Sequence, residues 1–195
     1  MSDRVNPLED LGNLFVNREA ELEKFWKWAT GVPHPGRNSY ALVGRRRLGK
    51  TAILHQLFNR LFHEQEAVLP VYISFADYLY QKEPITVYQF ADEFLAGYMR
   101  SYLAFRYRKP ELIRFQYDLP RLSHFAQQVQ DHFFIEWHGS YQESVAKSIP
   151  YSLTRWLINF PMGAARIMNM PTAMIIDEFQ VLTKVYNPKN GRASD

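Results

Sequence analysis

The sequence contains no cysteine, so disulfide bonds, thiolate zinc sites and cysteine nucleophiles are excluded. It also lacks an excess of one sign of charge: 23 basic residues stand against 20 acidic ones, a balance too even to indicate a protein that coats nucleic acid. No apolar run is long enough to span a bilayer, and residues 1–9 lack the apolar stretch of a signal peptide. We therefore expect a cytoplasmic protein that does not enter a membrane.

The composition and the apolar patterning predict a single folded α/β domain over residues 1–195. Hydrophobic residues make up 47% of the chain and aromatic residues 15%, which is too much apolar surface for a disordered protein. The short apolar run Tyr40–Val43 predicts a first strand, the helical periodicity of Lys50–His63 predicts an amphipathic helix, and Leu69–Phe75 is typical of a second, buried strand. This order of strand, helix and strand indicates a parallel sheet.

A long helical region is expected between the second and third strands, over residues 77–171. Prolines punctuate it, and its best helical segments are Val87–Phe105, Leu122–Trp137 and Ser152–Phe160. The chain then returns to an apolar run, Ala173–Ile176, which predicts the third strand. The polar tail 186–195 is expected to be frayed.

One motif carries specific chemistry, a phosphate-binding loop. The octapeptide GRRRLGKT, from Gly44 to Thr51, matches G-x-x-x-x-G-K-[ST] at every defined position. Two glycines permit a tight path whose N–H groups face phosphate oxygens, Lys50 can reach the β and γ phosphates, and the Thr51 hydroxyl can hold Mg²⁺. The predicted nucleotide-binding residues of this segment are Gly44, Arg45, Arg46, Arg47, Leu48, Gly49, Lys50, Thr51 and Ala52. The three arginines could equally form a solvated surface.

A pair of carboxylates follows the third predicted strand. An apolar strand that ends in Asp177 and Glu178 is typical of the second nucleotide motif, the Walker B segment. Asp177 is predicted to bind Mg²⁺ together with Thr51, and Glu178 to polarise the attacking water as the catalytic residue. The alternative is two charged residues that merely leave a strand. A GTPase is expected to show Asp-x-x-Gly after this strand and an Asn-Lys-x-Asp that reads guanine; neither is found here, so ATP is the expected nucleotide.

Three segments together resemble the archaeal-type P-loop ATPases related to the AAA+ and STAND lineages: residues 15–19 (FVNRE), the phosphate loop, and Ile175–Gln180. The resemblance implies a P-loop three-layer sandwich with a parallel sheet, and it implies that Phe15 and Val16 contact the adenine. It also implies an ATPase that couples Mg-ATP to a protein partner or to self-association. Relatives continue with further strands beyond the carboxylate pair, so the fold is expected to be incomplete at its C-terminus, as in a truncated product.

Other readings of the sequence stay open. The chain could be a truncated, non-hydrolysing nucleotide-binding or protein-interaction module. A weaker alternative is a nucleic-acid-associated ATPase, since aromatic residues alternate with Arg106, Arg108 and Lys109, although solvated loop charge explains that cluster too. His132 and His138 are six residues apart and so fall on different helix faces, which disfavours a metal site there. The aromatic residues Phe90, Phe94, Tyr98 and Tyr102 recur at the spacing of a buried helix face.

Overall fold

The computed structural model of the chain describes residues 5–9, 18–31, 39–45, 48–146, 150–187 and 192–193. Its helices are α1 (Glu19–Thr30), α2 (Lys50–Glu64), α3 (Val87–Tyr107), α4 (Glu111–Arg114), α5 (Leu119–Gln128), α6 (His132–Ala146) and α7 (Pro150–Met168), with short 3₁₀ helices at Ala76–Tyr78 and Phe179–Lys184. Its strands are β1 (Leu69–Ser74), β2 (Ile85–Thr86), β3 (Thr172–Asp177), β4 (Val185–Asn187) and β5 (Arg192–Ala193).

The main sheet consists of β1 and β3, which pair in parallel. Leu69 lies opposite Thr172 and the register continues to Ser74 opposite Asp177, so the carboxyl ends of both strands meet at one edge. A second, smaller sheet has the order β2-β4-β5; β2 is parallel to β4, and β4 is antiparallel to β5. Parts of the tail that was expected to be frayed, Tyr186–Asn187 and Arg192–Ala193, are therefore paired in strands.

Helix α3 is the central helix and lies directly against β1. It begins with a capping box, in which Thr86 accepts the Gln89 N–H and the Gln89 side chain bonds back to the Thr86 N–H. A Cβ atom at Gly97 would stand 3.0 Å from the side chain of Ile73, so glycine lets the helix approach the strand without displacing that side chain. The Ser101 hydroxyl accepts the outward N–H of Tyr72 at 3.0 Å, so the helix also covers the free edge of β1.

Aromatic side chains fill the core between α3 and the later helices. The Phe160 ring packs on Tyr98 at 4.7 Å and on Trp137 at 4.8 Å between ring centroids, and it stacks on Trp156 at 5.0 Å. The predicted buried face of α3 is confirmed: Phe94, Tyr98 and Tyr102 are buried. Phe90, one turn earlier, is partly buried against the same core.

The prediction of a P-loop three-layer sandwich is wrong. The chain is mostly helical, and its main parallel sheet has two strands. Residues 39–45 are described and contain no strand, so the predicted first strand Tyr40–Val43 does not form. Tyr40 packs edge-on against Phe25 and Trp28 of α1, while Val43 is 93% exposed. Contacts with α1 therefore replace the sheet contacts that the apolar run suggested.

Two predicted helix boundaries are also wrong. The segment Leu122–Trp137 is divided between α5 and α6, because Gln130 adopts a left-handed conformation with φ of 53° and the Asp131 carboxylate caps a new helix through the Phe134 N–H at 2.8 Å. Helix α7 runs through Pro161 instead of ending before it. Phe160 and Ala164 are buried on either side of this proline, so packing holds the helix together.

The predicted helix Lys50–His63 and the two predicted strands Leu69–Phe75 and Ala173–Ile176 are confirmed as α2, β1 and β3, each within one residue at either end. Ile53, Leu57 and Leu61 lie four residues apart and are buried, as the periodicity indicated. In the described part of the chain, no helix combines the length and the apolar character that crossing a membrane requires.

Candidate functional site

The described part of the glycine-rich loop leads directly into α2. Gly49 has a left-handed backbone with φ of 72°, which glycine adopts without steric cost, and it precedes the first helical residue, Lys50. No side chain caps this helix start and its first turn holds no acidic residue. The first N–H groups of α2 thus remain available to an anion together with the positive end of the helix dipole. Arg46 and Arg47 lie outside the described residues.

The Lys50 side chain folds back across the loop. Its ammonium donates hydrogen bonds of 2.9 Å to the carbonyl oxygens of Gly44 and of Arg45. The Lys50 cation therefore joins the start of the described helix α2 to the residues at the beginning of the motif, and it lies beside the first turn of that helix.

The threonine of the loop contacts the aspartate of β3. The Thr51 hydroxyl donates a hydrogen bond of 2.8 Å to Oδ2 of Asp177. Asp177 is the last residue of β3 and only 8% exposed, and its Oδ1 accepts the Glu178 N–H at 3.0 Å. The structure thus brings together the two residues that the sequence assigned to one metal ion.

Tyr72 contacts Asp177, and His55 contacts Tyr72. The Tyr72 hydroxyl donates to Asp177 Oδ2 at 3.4 Å and lies 3.0 Å from Nε2 of His55. Burial, followed by the negative charge of Asp177, raises the pKa of Tyr72 far above its ordinary value of 10.0, which keeps the phenol protonated. Burial lowers the pKa of His55 below 6.5, so the neutral imidazole is favoured.

Glu178 lies between β3 and the 3₁₀ helix Phe179–Lys184 and has an unusual backbone. Its φ of 56° is left-handed, which is uncommon for a residue with a side chain. The Gln180 amide holds the Glu178 carboxylate in place. Strained residues of this kind concentrate at functional sites, and Glu178 is also the neighbour of Asp177 in the sequence.

Arg18, just before α1, reaches the loop from the other side. Its guanidinium donates to the Leu48 carbonyl at 3.3 Å and forms an ion pair with Glu21 at 2.9 Å. The start of α1 therefore lies beside Leu48 of the glycine-rich loop. Phe15 and Val16, the residues predicted to contact adenine, lie outside the described residues.

The sequence-based site prediction missed Tyr72, His55 and Arg18. His55 is four residues after Thr51, which places both on one face of α2, and a tyrosine in an otherwise apolar strand needs a partner for its hydroxyl. Those two signals could have indicated His55 and Tyr72. No comparable signal in the sequence links Arg18 to Leu48.

The structure places the weaker candidates of the sequence as follows. Within the described ranges, no group of three or more His, Cys, Asp or Glu residues could hold a metal ion. The basic cluster is engaged in internal contacts: Arg108 donates to the Phe62 carbonyl and to Glu66, Arg106 pairs with Asp131 at 3.7 Å, and Lys109 with Glu111. These contacts favour a structural role for the cluster.

Comparison of the chain with protein-family models, with curated proteins and with solved structures finds no match to any of them.

Proposed function

We propose that this chain binds ATP together with Mg²⁺ at the loop Gly44–Thr51 and the neighbouring carboxylates, as a P-loop ATPase module of the kind that the motifs resemble. The observation that carries the proposal is the hydrogen bond between Thr51 and Asp177, since it joins two motifs that the sequence keeps far apart. The proposal rests on this local geometry, because the loop has no paired strand before it within residues 39–45.

The residues present fit a magnesium ion. Mg²⁺ binds oxygen ligands at about 2.1 Å in octahedral geometry, so neighbouring ligand oxygens are separated by about 3 Å. The Thr51 and Asp177 oxygens are 2.8 Å apart. Because the threonine proton points to the carboxylate, the lone pairs of its oxygen are left for a cation. Two protein oxygens are also what a phosphate-bridging Mg²⁺ uses, since phosphate oxygens and waters supply its other ligands. The ion would neutralise phosphate charge.

Each remaining residue has a defined role in this proposal. The loop amides and Lys50 bind the phosphates, the strained Glu178 orients an attacking water and accepts its proton, and Arg18 holds the loop through Leu48. A movement of the loop on nucleotide binding would be transmitted to α1 through the hydrogen bond between Arg18 and the Leu48 carbonyl. This link offers a route by which ATP could change the contacts of a protein partner or of a second copy.

Calorimetric titration of Mg-ATP into the wild-type chain and into Lys50→Ala tests the proposal. We expect binding by the wild type and affinity at least tenfold weaker in the variant, because a charge-assisted phosphate contact is worth about 1.5–3 kcal/mol. Lys27→Ala is the matched control, since Lys27 is a lysine of α1 whose side chain is 74% exposed. Excess GTP should displace ATP poorly. Equal affinity of wild type and Lys50→Ala would contradict the proposal.

A second candidate function is a protein-interaction module that does not depend on nucleotide. It is favoured by Ile158 and Met162, which lie one turn apart on α7 and are 74% and 54% exposed. The same titration separates the two functions, because an interaction module alone would bind no ATP in either the wild type or Lys50→Ala.

A further inference from the structure

The Asp177 carboxylate receives hydrogen bonds from three donors on three different parts of the chain. The Glu178 N–H donates to Oδ1 at 3.0 Å, and Thr51 of α2 and Tyr72 of β1 donate to Oδ2 at 2.8 and 3.4 Å. The first two donors belong to residues of the proposed nucleotide site. The third does not, because Tyr72 belongs to β1 and to neither of the two sequence motifs.

The Tyr72 hydroxyl is itself held by His55. A carboxylate can only accept, so with the phenol proton directed to Asp177 the phenol oxygen can accept from the Nε2–H of His55 across 3.0 Å. This tautomer leaves Nδ1 as an acceptor. The Nδ1 atom is buried, and within the described part of the chain no hydrogen bond of normal geometry reaches it; the nearby Glu9 backbone raises the pKa of the ring and so opposes the effect of burial.

The fold places this pair rigidly. Thr51 and His55 are four residues apart on α2, so both face the carboxyl end of the sheet. The Tyr72 ring packs edge-on against His55 at 5.2 Å and against Phe58 at 6.0 Å between centroids. One helix and both strands of the main sheet therefore meet at a single carboxylate, and Tyr72 is the residue that joins them.

We propose that Tyr72, oriented by His55, is a positioning residue that fixes the Asp177 carboxylate for Mg²⁺ without touching the nucleotide. The inference rests on the proposed function and adds two residues to it. An aspartate side chain has two rotatable bonds; Glu178 and Thr51 each donate to one carboxylate oxygen, and Tyr72 adds a second donor that holds Oδ2 from β1. Loss of the Tyr72 hydroxyl should therefore weaken the metal-dependent part of ATP binding and leave the contacts of the loop with phosphate unchanged.

The ratio of ATP affinities measured with Mg²⁺ and with EDTA isolates this effect. We expect Tyr72→Phe to lower the ratio about fivefold, the size of one typical hydrogen bond, because its distance of 3.4 Å is long, and to change the affinity in EDTA less than about twofold. Tyr98→Phe is the matched control: it also removes a buried phenol, whose hydroxyl bonds Thr172 at the opposite end of β3 at 3.3 Å, and it should keep the wild-type ratio.

The outcomes separate the two proposals. A wild-type chain that binds ATP in neither condition overturns the proposed function and the positioning role with it. A wild-type chain with Mg²⁺-dependent binding and a Tyr72→Phe variant of the same ratio overturns the positioning role alone. Because the substitution removes one oxygen and keeps the ring, a melting temperature close to that of the wild type shows that both variants are folded.

His55 provides an independent arm. His55→Leu should lower the ratio of ATP affinities as Tyr72→Phe does, and the double variant should lower it no more than either single variant. His55→Gln should keep the wild-type ratio, because its amide can still donate to the phenol. In ¹⁵N NMR spectra of the wild-type protein without nucleotide, we expect His55 as the neutral Nε2–H tautomer. Losses that add up in the double variant, or an Nδ1–H tautomer, would overturn the proposed pair.

Discussion

Thr51 and Asp177 are 126 positions apart in the chain, and the hydroxyl of the first donates a 2.8 Å hydrogen bond to the carboxylate of the second. The contact exists because α2 begins, and β3 ends, at the same edge of the main sheet. Five helices, α3 to α7, separate the two motifs along the chain. Their meeting at one point is the structural basis of the proposed nucleotide site.

The hydroxyl of Thr51 should be required for metal-dependent binding. We expect Thr51→Ala to weaken ATP at least tenfold in the presence of Mg²⁺, which is about 1.4 kcal/mol, and Thr51→Ser to remain close to the wild type because it keeps the hydroxyl. Thermal unfolding of both variants should stay near that of the wild type, since Thr51 is exposed. A Thr51→Ala chain with wild-type Mg-ATP affinity would show that this oxygen binds no metal.

The left-handed backbone of Glu178 should be a cost to stability that serves the site. Glycine has no steric penalty at φ of 56°, so Glu178→Gly is expected to raise the free energy of unfolding by about 1 kcal/mol and to abolish any ATP turnover of the wild type. Gln116→Gly is the control, because Gln116 has φ of 47° and is exposed on a loop outside the site. It should stabilise the protein similarly and retain turnover; urea unfolding and phosphate release measure both effects.

The contact of Gly97 with Ile73 should not tolerate a side chain. A Cβ atom there would lie 3.0 Å from the side chain of buried Ile73, which would have to shift by a few tenths of an ångström in a packed core, and we expect a loss of about 1–3 kcal/mol of stability. At Gly139 of α6 no atom lies within 4 Å of an added Cβ, so Gly139→Ala should gain up to about 1 kcal/mol from helix propensity. Equal effects of the two substitutions in urea unfolding would contradict the packing described for α3.

His138 should make the fold less stable in mild acid. Burial lowers its pKa below the ordinary 6.5, although the nearby Asp92 opposes the shift. Below pH 6.5 the unfolded chain therefore binds more protons at this residue than the folded chain does. Its contribution to stability is present above pH 6.5 and is lost as the pH falls through that value. Unfolding free energies at pH 7.5, 6 and 5 should decline less in His138→Gln than in the wild type; parallel declines would argue against this assignment.

The sequence predicted the local elements well and the sheet poorly. Helix α2 and strands β1 and β3 carry strong periodic or continuous apolar patterns, and such patterns fix local structure. Tyr40–Val43 has the same apolar character, yet its conformation depends on whether it packs on α1 or pairs with the sheet. Tyr40 packs on Phe25 and Trp28 of α1. A short apolar run cannot encode that choice between distant partners.

The two site motifs were visible in the sequence because each has a fixed local spacing, whereas the residues that support them were not. Tyr72 joins the site through the parallel register of β1 and β3 and through the face that α2 presents to them. The break between α5 and α6 was not predicted either, because glutamine is not a residue type that indicates the left-handed conformation that Gln130 adopts. Such features arise from tertiary packing and become visible only once the elements are placed.

Hydrogen exchange of the backbone amides, followed by mass spectrometry with and without Mg-ATP, tests the central claim most directly, because the claim concerns the amides themselves. We predict that Mg-ATP slows exchange in peptides that cover residues 44–53 and the end of β3 at Asp177, and that Lys50→Ala removes this protection. Protection that is absent from these peptides, or that is the same in the wild type and Lys50→Ala, would contradict the proposed nucleotide site.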